Sequence, residues 1–288
     1  MTPTAVYHSL PTYLTPAMVA AQVRLALAED MGDGDLTAAL IPAGTQASAI
    51  IISREAAVLC GCAWLQQCFE QLDPAIQLHW YAQEGDRLAE NSKIVDIQGD
   101  ARAMLTAERP ALNFVQTLSA VATHTRRYVD AIAGLPSKIL DTRKTLPGLR
   151  LAQKYAVLTG GGDNQRLALY DGILIKENHI ASAGSIAAVM QAAMALNKTS
   201  NIQIEVENLD ELQQALDSGA TSILLDNFTL DNLRKAVTIN QQRALLEASG
   251  NVDLTTVRAI AETGVDRISI GALTKHIQAV DLSMRIQL

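Results

Sequence analysis

Three kinds of residue are scarce in this 288-residue sequence, and each scarcity excludes something. Aromatic residues make up 4% of the chain. With abundant Ala and Leu, that favours helices packed on parallel strands over an aromatic-rich β-sandwich. Cysteine occurs three times, at Cys60, Cys62 and Cys68, an odd cluster that is no disulfide framework. All three sit in the apolar stretch AAVLCGCAWLQQCF with no histidine beside them. They are expected as buried side chains in a reducing compartment, the cytoplasm, rather than as metal ligands. Basic residues are outnumbered, 23 Lys and Arg against 30 Asp and Glu, for a net charge of −7. A general nucleic-acid binder is therefore not expected, although a local basic pocket can still hold a small anion. No apolar run approaches the roughly 20 residues that span a bilayer, so no membrane partner is expected. Residues 1–23 contain no Lys or Arg, so a secretory n-region is not expected either. What is present is a 49% hydrophobic composition, ample for a core.

The first 12 or so residues read as an arm. Thr15 is a candidate N-cap before Pro16, predicting a helix over 16–28. The Gly- and Asp-rich segment EDMGDGDLT then reads as a loop. ASAIIIS, IQLHWYA and KIVDIQG are strand-like, with one helix predicted over 62–72. A long helical pattern follows over 102–133, with Pro110 as its expected breaking point. From Lys138 onward, short apolar runs alternate with helical windows. The runs start near residues 138, 172, 202, 222, 244 and 267. Helices are predicted over 186–196, 209–218, 230–239 and 254–262. This alternation predicts a parallel sheet with right-handed crossovers, as in a (β/α) barrel. No GxGxxG follows the first strand, which leaves a dinucleotide-binding sheet as the weaker alternative. Six strands fall short of eight, so either the barrel is incomplete or a strand is hidden near Leu158.

Barrel chemistry sits at the C-terminal ends of the strands. There the sequence places Asp141, Thr142, Arg143 and Lys144; then Lys176 and His179; then Glu205 and Glu207; then Asp226 and Asn227; then Ser249, Gly250 and Asn251; and last Ile270 running into Gly271 and Ala272. Charges at the ends of buried strands are costly unless paired or liganded, which points to a functional rim. Arg143, Lys144 and Lys176 are cationic. Glu205 and Asp226 are hard carboxylates suited to a partly hydrated Mg²⁺. The glycine-containing ends allow backbone N–H groups to approach a phosphate. The loop Gly160–Arg166 is no Walker loop, but its Arg166 belongs near the same rim. His124 reads as a surface or interface residue and His179 as either a structural hydrogen-bonder or a base. No Ser-His-Asp or Cys-His arrangement is apparent.

The segments DTRKTLPGLRLAQKYAVLTGGGDNQR, LIKENHI, EVEN, LLDN, EASGN and ISIGALTK, with EDMGDGDLT and ERPALNFVQ upstream, resemble the quinolinate phosphoribosyltransferases, also called carboxylating nicotinate-nucleotide pyrophosphorylases. The resemblance implies an N-terminal α/β sandwich over 1–116 and an incomplete, seven-stranded, TIM-like α/β barrel over 117–288. It implies transfer of phosphoribose from phosphoribosyl pyrophosphate to quinolinate with decarboxylation, using Mg²⁺ and no organic cofactor. It also implies a homodimer whose active site is shared between subunits. On the family pattern Thr142, Arg143, Lys144, Gln165, Arg166 and Lys176 bind substrate, and Arg109 is donated across the dimer. Glu205 and Asp226 lie near metal and ribose, and Lys144, Lys176, Glu205 and Asp226 serve catalysis. Ser249, Gly250, Asn251, Ile270, Gly271 and Ala272 hold the sugar phosphate. One departure is Gln165, where the family often has His; Gln can donate a hydrogen bond but carries no charge. Two other readings stay open: a class I aldolase with a Schiff base on Lys176, and a non-catalytic phosphosugar-binding protein.

Overall fold

The computed structural model of the chain describes residues 10–196 and 201–287, so the first nine residues of the expected arm lie outside it. In chain order the elements are α1 (Pro16–Met31), β1 (Gln46–Ser53), β2 (Ala57–Val58), α2 (Cys62–Leu72), β3 (Gln77–Trp80), β4 (Arg87–Leu88), β5 (Lys93–Asp100), α3 (Ala101–Ala131), β6 (Lys138–Leu140), α4 (Arg150–Thr159) and β7 (Gly172–Ile175). They continue with α5 (Glu177–Ala183), α6 (Ile186–Leu196), β8 (Asn201–Val206), α7 (Leu209–Asp217), β9 (Ser222–Asp226), α8 (Leu230–Asn240), β10 (Leu245–Ser249), α9 (Val257–Ala261), β11 (Arg267–Ser269), α10 (Ala272–Lys275) and β12 (Leu282–Gln287). Contacts divide the chain into two compact units. Met1–His124, Leu146–Gly160 and His276–Leu288 form one, and Thr125–Thr145 with Gly161–Lys275 form the other. Among the described residues no single helix is long and apolar enough to cross a membrane.

The first unit carries an antiparallel sheet in the order β12-β1-β5-β3. Alternation along β1 buries Ala49, Ile51 and Ser53, the period expected of a strand with one face covered. Helix α1 starts as its sequence predicts. Thr15 Oγ1 accepts from the Met18 amide at 3.3 Å and Pro16 opens the first turn. Val19, Val23 and Leu27 are its buried stripe. In α2, Trp64 and Phe69 are fully buried, each contributing roughly 1.5–3 kcal/mol of hydrophobic stabilisation. The Trp64 ring lies 5.8 Å from Tyr155 and 6.5 Å from Phe114. All three cysteines are free and buried, and burial pushes the Cys68 thiol up to about 12. Helix α3 runs unbroken through Pro110, against expectation. Ala107, Ala111, Leu112, Phe114 and Val115 are all buried around the proline, and that burial outweighs the lost hydrogen bond.

The second unit carries the parallel sheet predicted from the alternating pattern. Its six strands run in the order β6-β11-β10-β9-β8-β7. No strand lies near Leu158, which is in α4; that segment's 3.6-residue apolar spacing makes it helical. Instead, Asp163 forms an isolated parallel bridge with Leu140 beside β6. The Asp163 amide donates to Ile139 O at 2.8 Å, and the Asp141 amide donates to Asp163 O at 3.3 Å. The helices predicted over 186–196, 209–218 and 230–239 are α6, α7 and α8 within a residue. The last, predicted over 254–262, is the shorter α9.

Candidate active site

The second unit gathers its polar residues at the C-terminal ends of its strands. Asp141, directly after β6, is fully buried. Its Oδ2 accepts from Asn164 Nδ2 at 2.7 Å and its Oδ1 from the Gln165 amide at 3.0 Å. It thus fastens the 163–165 segment to β6 and is a structural carboxylate. Thr142 Oγ1 accepts from the Lys144 amide at 3.1 Å, and Lys144 O accepts from Thr274 Oγ1 at 2.8 Å. These bonds turn the chain so that Lys144 lies against Gly271 on the neighbouring strand end. A Cβ on Gly271 would stand 3.0 Å from Lys144 Cδ and 3.6 Å from Thr142 Oγ1. The glycine is what lets that lysine lie so close.

Arg143 and Arg166 form the basic centre. Arg143 Nε is buried and has no hydrogen-bond partner among the described residues. Arg166 Nη1 donates to Gly172 O at 2.9 Å. Burial, and then the charge of Arg143, hold the Arg166 guanidinium below its ordinary value, opposed by Asp171. Both Asp171 oxygens accept backbone amides, those of Leu167 and Ala168, at 2.7 Å. Two like charges and an orphaned donor suit a planar polyanion, because guanidinium groups bind carboxylates bidentately.

The carboxylates stand on the neighbouring strands. Lys176 Nζ reaches Glu205 Oε1 at 3.1 Å and Oε2 at 2.8 Å. A lysine whose Nζ lies between both oxygens of a carboxylate is unlike the desolvated amine that Schiff-base chemistry needs. His179 Nδ1 accepts from the Lys176 amide at 3.0 Å and so fastens the start of α5. Asp226 Oδ2 accepts from Asn227 Nδ2 at 2.7 Å. Asn227 has a φ of 55°, and its amide donates to Ser249 O at 2.9 Å. Asn251 Nδ2 donates to Asn227 Oδ1 at 3.3 Å. Gly250 has a φ of +100°, and a Cβ there would fall 2.1 Å from Asn227 Oδ1. The strand ends of β9 and β10 are thereby locked together, with Asp226, Ser249, Gly250 and Asn251 on one rim. Ile270 is buried, and its amide donates to Leu140 O at 2.9 Å, so neither its side chain nor its N–H is open to a phosphate. Gly271 and Ala272 follow it at the start of the four-residue α10.

Family models for the N-terminal and C-terminal domains of quinolinate phosphoribosyl transferase match residues 35–119 and 121–285. The chain belongs to the quinolinate phosphoribosyltransferase family. It is 40% identical over 261 residues to a probable carboxylating nicotinate-nucleotide pyrophosphorylase of Bacillus subtilis (strain 168), covering 90% of each chain. It is 40% identical over 299 residues to the chloroplastic enzyme of that name from Arabidopsis thaliana, covering 96% of this chain and 84% of the relative. Its fold matches the solved nicotinate-nucleotide pyrophosphorylase of Francisella tularensis with a TM-score of 0.93 at 46% identity. That match covers 95% of this chain and 98% of the other.

Within this phosphoribosyltransferase, the second unit carries the rim residues the sequence pointed to at or just after the ends of its strands. Arg109 belongs to the first unit. It is exposed on α3 and lines a cavity of about 250 Å³ with Glu29, Asp30, Asn113 and Phe114. Sequence reasoning missed Gln203 and Glu247. Each lies two residues before a residue already singled out, Glu205 and Ser249. Period-two alternation places them on the same strand face, beneath the rim.

Proposed function

We propose that this protein transfers the phosphoribosyl group of phosphoribosyl pyrophosphate to quinolinate and releases pyrophosphate, CO₂ and nicotinate mononucleotide, in the cytoplasm. The observation that carries this reading is the Arg143–Arg166 pair, with its buried, unpartnered Nε. Quinolinate offers two carboxylates and a ring nitrogen nucleophilic without activation. The two guanidinium groups and Gln165 bind the carboxylates and orient the nitrogen toward C1 of the sugar. The nitrogen–C1 bond forms as the C1–pyrophosphate bond breaks, and the pyrophosphate leaves with the bonding electrons. The ring nitrogen is then positive, so the adjacent C–CO₂ bond can break with its electrons stabilised on the ring. A proton replaces the departed CO₂. Lys144 against Gly271 and the Ser249–Asn251 strand end receive phosphate charge; the cradle also includes Ala272. Lys176 and Glu205 flank the sugar. Positioning and electrostatics supply the acceleration.

Mg²⁺ enters this reading with the pyrophosphate. Among the described residues no group of three or more His, Cys, Asp and Glu forms a metal cage. A pair of carboxylates, Glu205 and Asp226, is what a hydrated Mg²⁺ bound chiefly through substrate phosphates uses. When bound, it neutralises charge on the leaving pyrophosphate.

The second unit is read as an incomplete, seven-stranded barrel. The bridge at Asp163 adds a seventh position beside β6. From there Arg166 reaches Gly172 on β7, and Gln165 reaches Gln203 on β8, so side chains span the gap in the ladder. The first unit is read as the α/β sandwich. The working molecule is read as a homodimer in which exposed Arg109 enters the partner's site. Purified protein with quinolinate, phosphoribosyl pyrophosphate and Mg²⁺ should release pyrophosphate and CO₂ in equal amounts. Pyrophosphate without CO₂ would move the assignment to a non-decarboxylating transferase, and release of neither would leave only a binding protein.

A further inference from the structure

Beneath the rim runs a chain of side-chain hydrogen bonds, buried at its inner end, that leads outward to Gln165. Glu247 on β10 is 1% exposed and Gln203 on β8 is 6% exposed. Gln203 Nε2 donates to Glu247 Oε2 at 2.9 Å, passing over the intervening β9. Gln165 Nε2 in turn donates to Gln203 Oε1 at 2.7 Å. The outer end of the chain is the residue next to Arg166, and its own amide is fixed on Asp141.

The chemistry of the inner end dictates the outer one. A side-chain amide has two nearly isosteric orientations, and only its partners choose between them. Glu247 Oε2 accepts from Gln203 Nε2, and that bond turns the Gln203 NH₂ inward. That leaves Gln203 Oε1 facing Gln165, which must answer with its own NH₂. An amide at position 247 would impose no such direction.

Glu247 is expensive as a packing residue. Its Oε1 and the Ser269 Oγ beside the carboxyl are both buried, and neither makes a hydrogen bond of full geometry. Burial raises the Glu247 carboxyl, against the Gln203 bond, the Ser269 hydroxyl and the Arg267 charge, and Glu205 adds to the rise. A half-satisfied buried carboxyl stabilises less than an apolar side chain of similar size would. Orientation, not packing, is what it supplies.

We propose that Glu247 is a positioning residue that acts through Gln203 to fix the orientation of the Gln165 amide at the carboxylate-binding end of the site. This rests on the reading that quinolinate binds beside Arg143 and Arg166. The test compares the full-length wild type with Glu247→Gln and Gln203→Met, each alone and combined with Gln165→Ala. Both single variants should raise the quinolinate KM roughly three- to tenfold, the worth of one misdirected hydrogen bond. The KM for phosphoribosyl pyrophosphate should stay within about twofold, since that subsite makes no bond to this chain. In the Gln165→Ala background neither change should have any further effect, which a merely destabilising substitution would not reproduce. An unchanged quinolinate KM in either folded variant, or the same increase in the Gln165→Ala background, overturns the proposal. A wild type that fails to turn over quinolinate faults the substrate reading alone. The orientation is then read from the Gln165 side-chain NH₂ resonance. That signal should shift in Glu247→Gln and Gln203→Met, and an unmoved signal overturns the proposal independently of turnover.

Discussion

Arg143 and Arg166 stand close enough for the charge of one to depress the other. A bound dianion would relieve that repulsion. Arg143→Ala and Arg166→Ala should therefore each raise the quinolinate KM and lower kcat. The combined loss should be about 1.5–3 kcal/mol in transition-state stabilisation, the worth of a charge-assisted hydrogen bond. Lys at either position should restore only part of it, because an ammonium lacks the bidentate fork. Steady-state kinetics with quinolinate varied check this, and wild-type kinetics in both alanine variants would remove the pair from the site. Arg143 was legible in the sequence because it follows an apolar run, where barrel chemistry is expected, and Arg166 because it closes the glycine-rich loop next to that rim. Gln203 and Glu247 were not, because they sit inside such runs and read as interruptions of a strand. Only the pairing of three strands shows that they meet each other.

At the scale of elements, the rim depends on turns that tolerate one residue type. Gly250 combines a φ of +100° with a backbone that Asn227 overlies. Gly250→Ala should displace Asn227 and release Asp226 from its hydrogen bond. The expected cost is roughly 1–3 kcal/mol of stability from backbone strain, together with a raised KM for phosphoribosyl pyrophosphate. Thermal unfolding and kinetics on one preparation separate the two effects, and an unaltered KM would show that the β10 end does not touch the donor. The loop after α1 has a different device. Asp35 Oδ1 accepts the amides of Thr37 and Ala38, each at 2.9 Å, and Oδ2 accepts from Thr106 Oγ1 at 2.8 Å. These bonds, Ala38 first and Thr106 next, hold its carboxyl below the ordinary 3.8. A depressed carboxyl stabilises the fold above its unfolded value, and that contribution disappears as pH falls through the folded value. Asp35→Asn should therefore flatten the decline of Tm below about pH 4 relative to the wild type, an effect confined to acid. A parallel decline in both proteins would mean that the Asp35 charge contributes nothing to the pH dependence of stability. The loop itself was legible from its Gly and Asp density, but this anchor was not, since Thr106 lies 71 residues away.

At the scale of the molecule, local pattern runs out where pairing is remote. β12, at the end of the chain, pairs antiparallel with β1, with Ser53 opposite Leu282. The segment Leu146–Gly160 returns to the first unit between two strands of the second. Neither is written in hydrophobic periodicity, because periodicity reports which face is buried and not what buries it. The same limit applies to quaternary structure, where the proposed shared site makes a prediction that no single chain can meet. Arg109 is exposed on the first unit, whereas Lys176 pairs with Glu205 on the second. Suppose each site takes its Lys176 from one chain and its Arg109 from the other. Two-fold symmetry then gives a dimer two composite sites. Arg109→Ala and Lys176→Ala should each inactivate both sites of their own homodimer. Mixed under conditions of subunit exchange, they form heterodimers in which one site carries both defects and the other carries neither. Activity should return to about half of the sites in each heterodimer, and so to about a quarter of the wild-type total at random mixing. Native mass spectrometry establishes that exchange has occurred, and pyrophosphate release measures the recovery. If exchange is complete and no activity returns, Arg109 and Lys176 act within one chain's site, and the subunits do not share it.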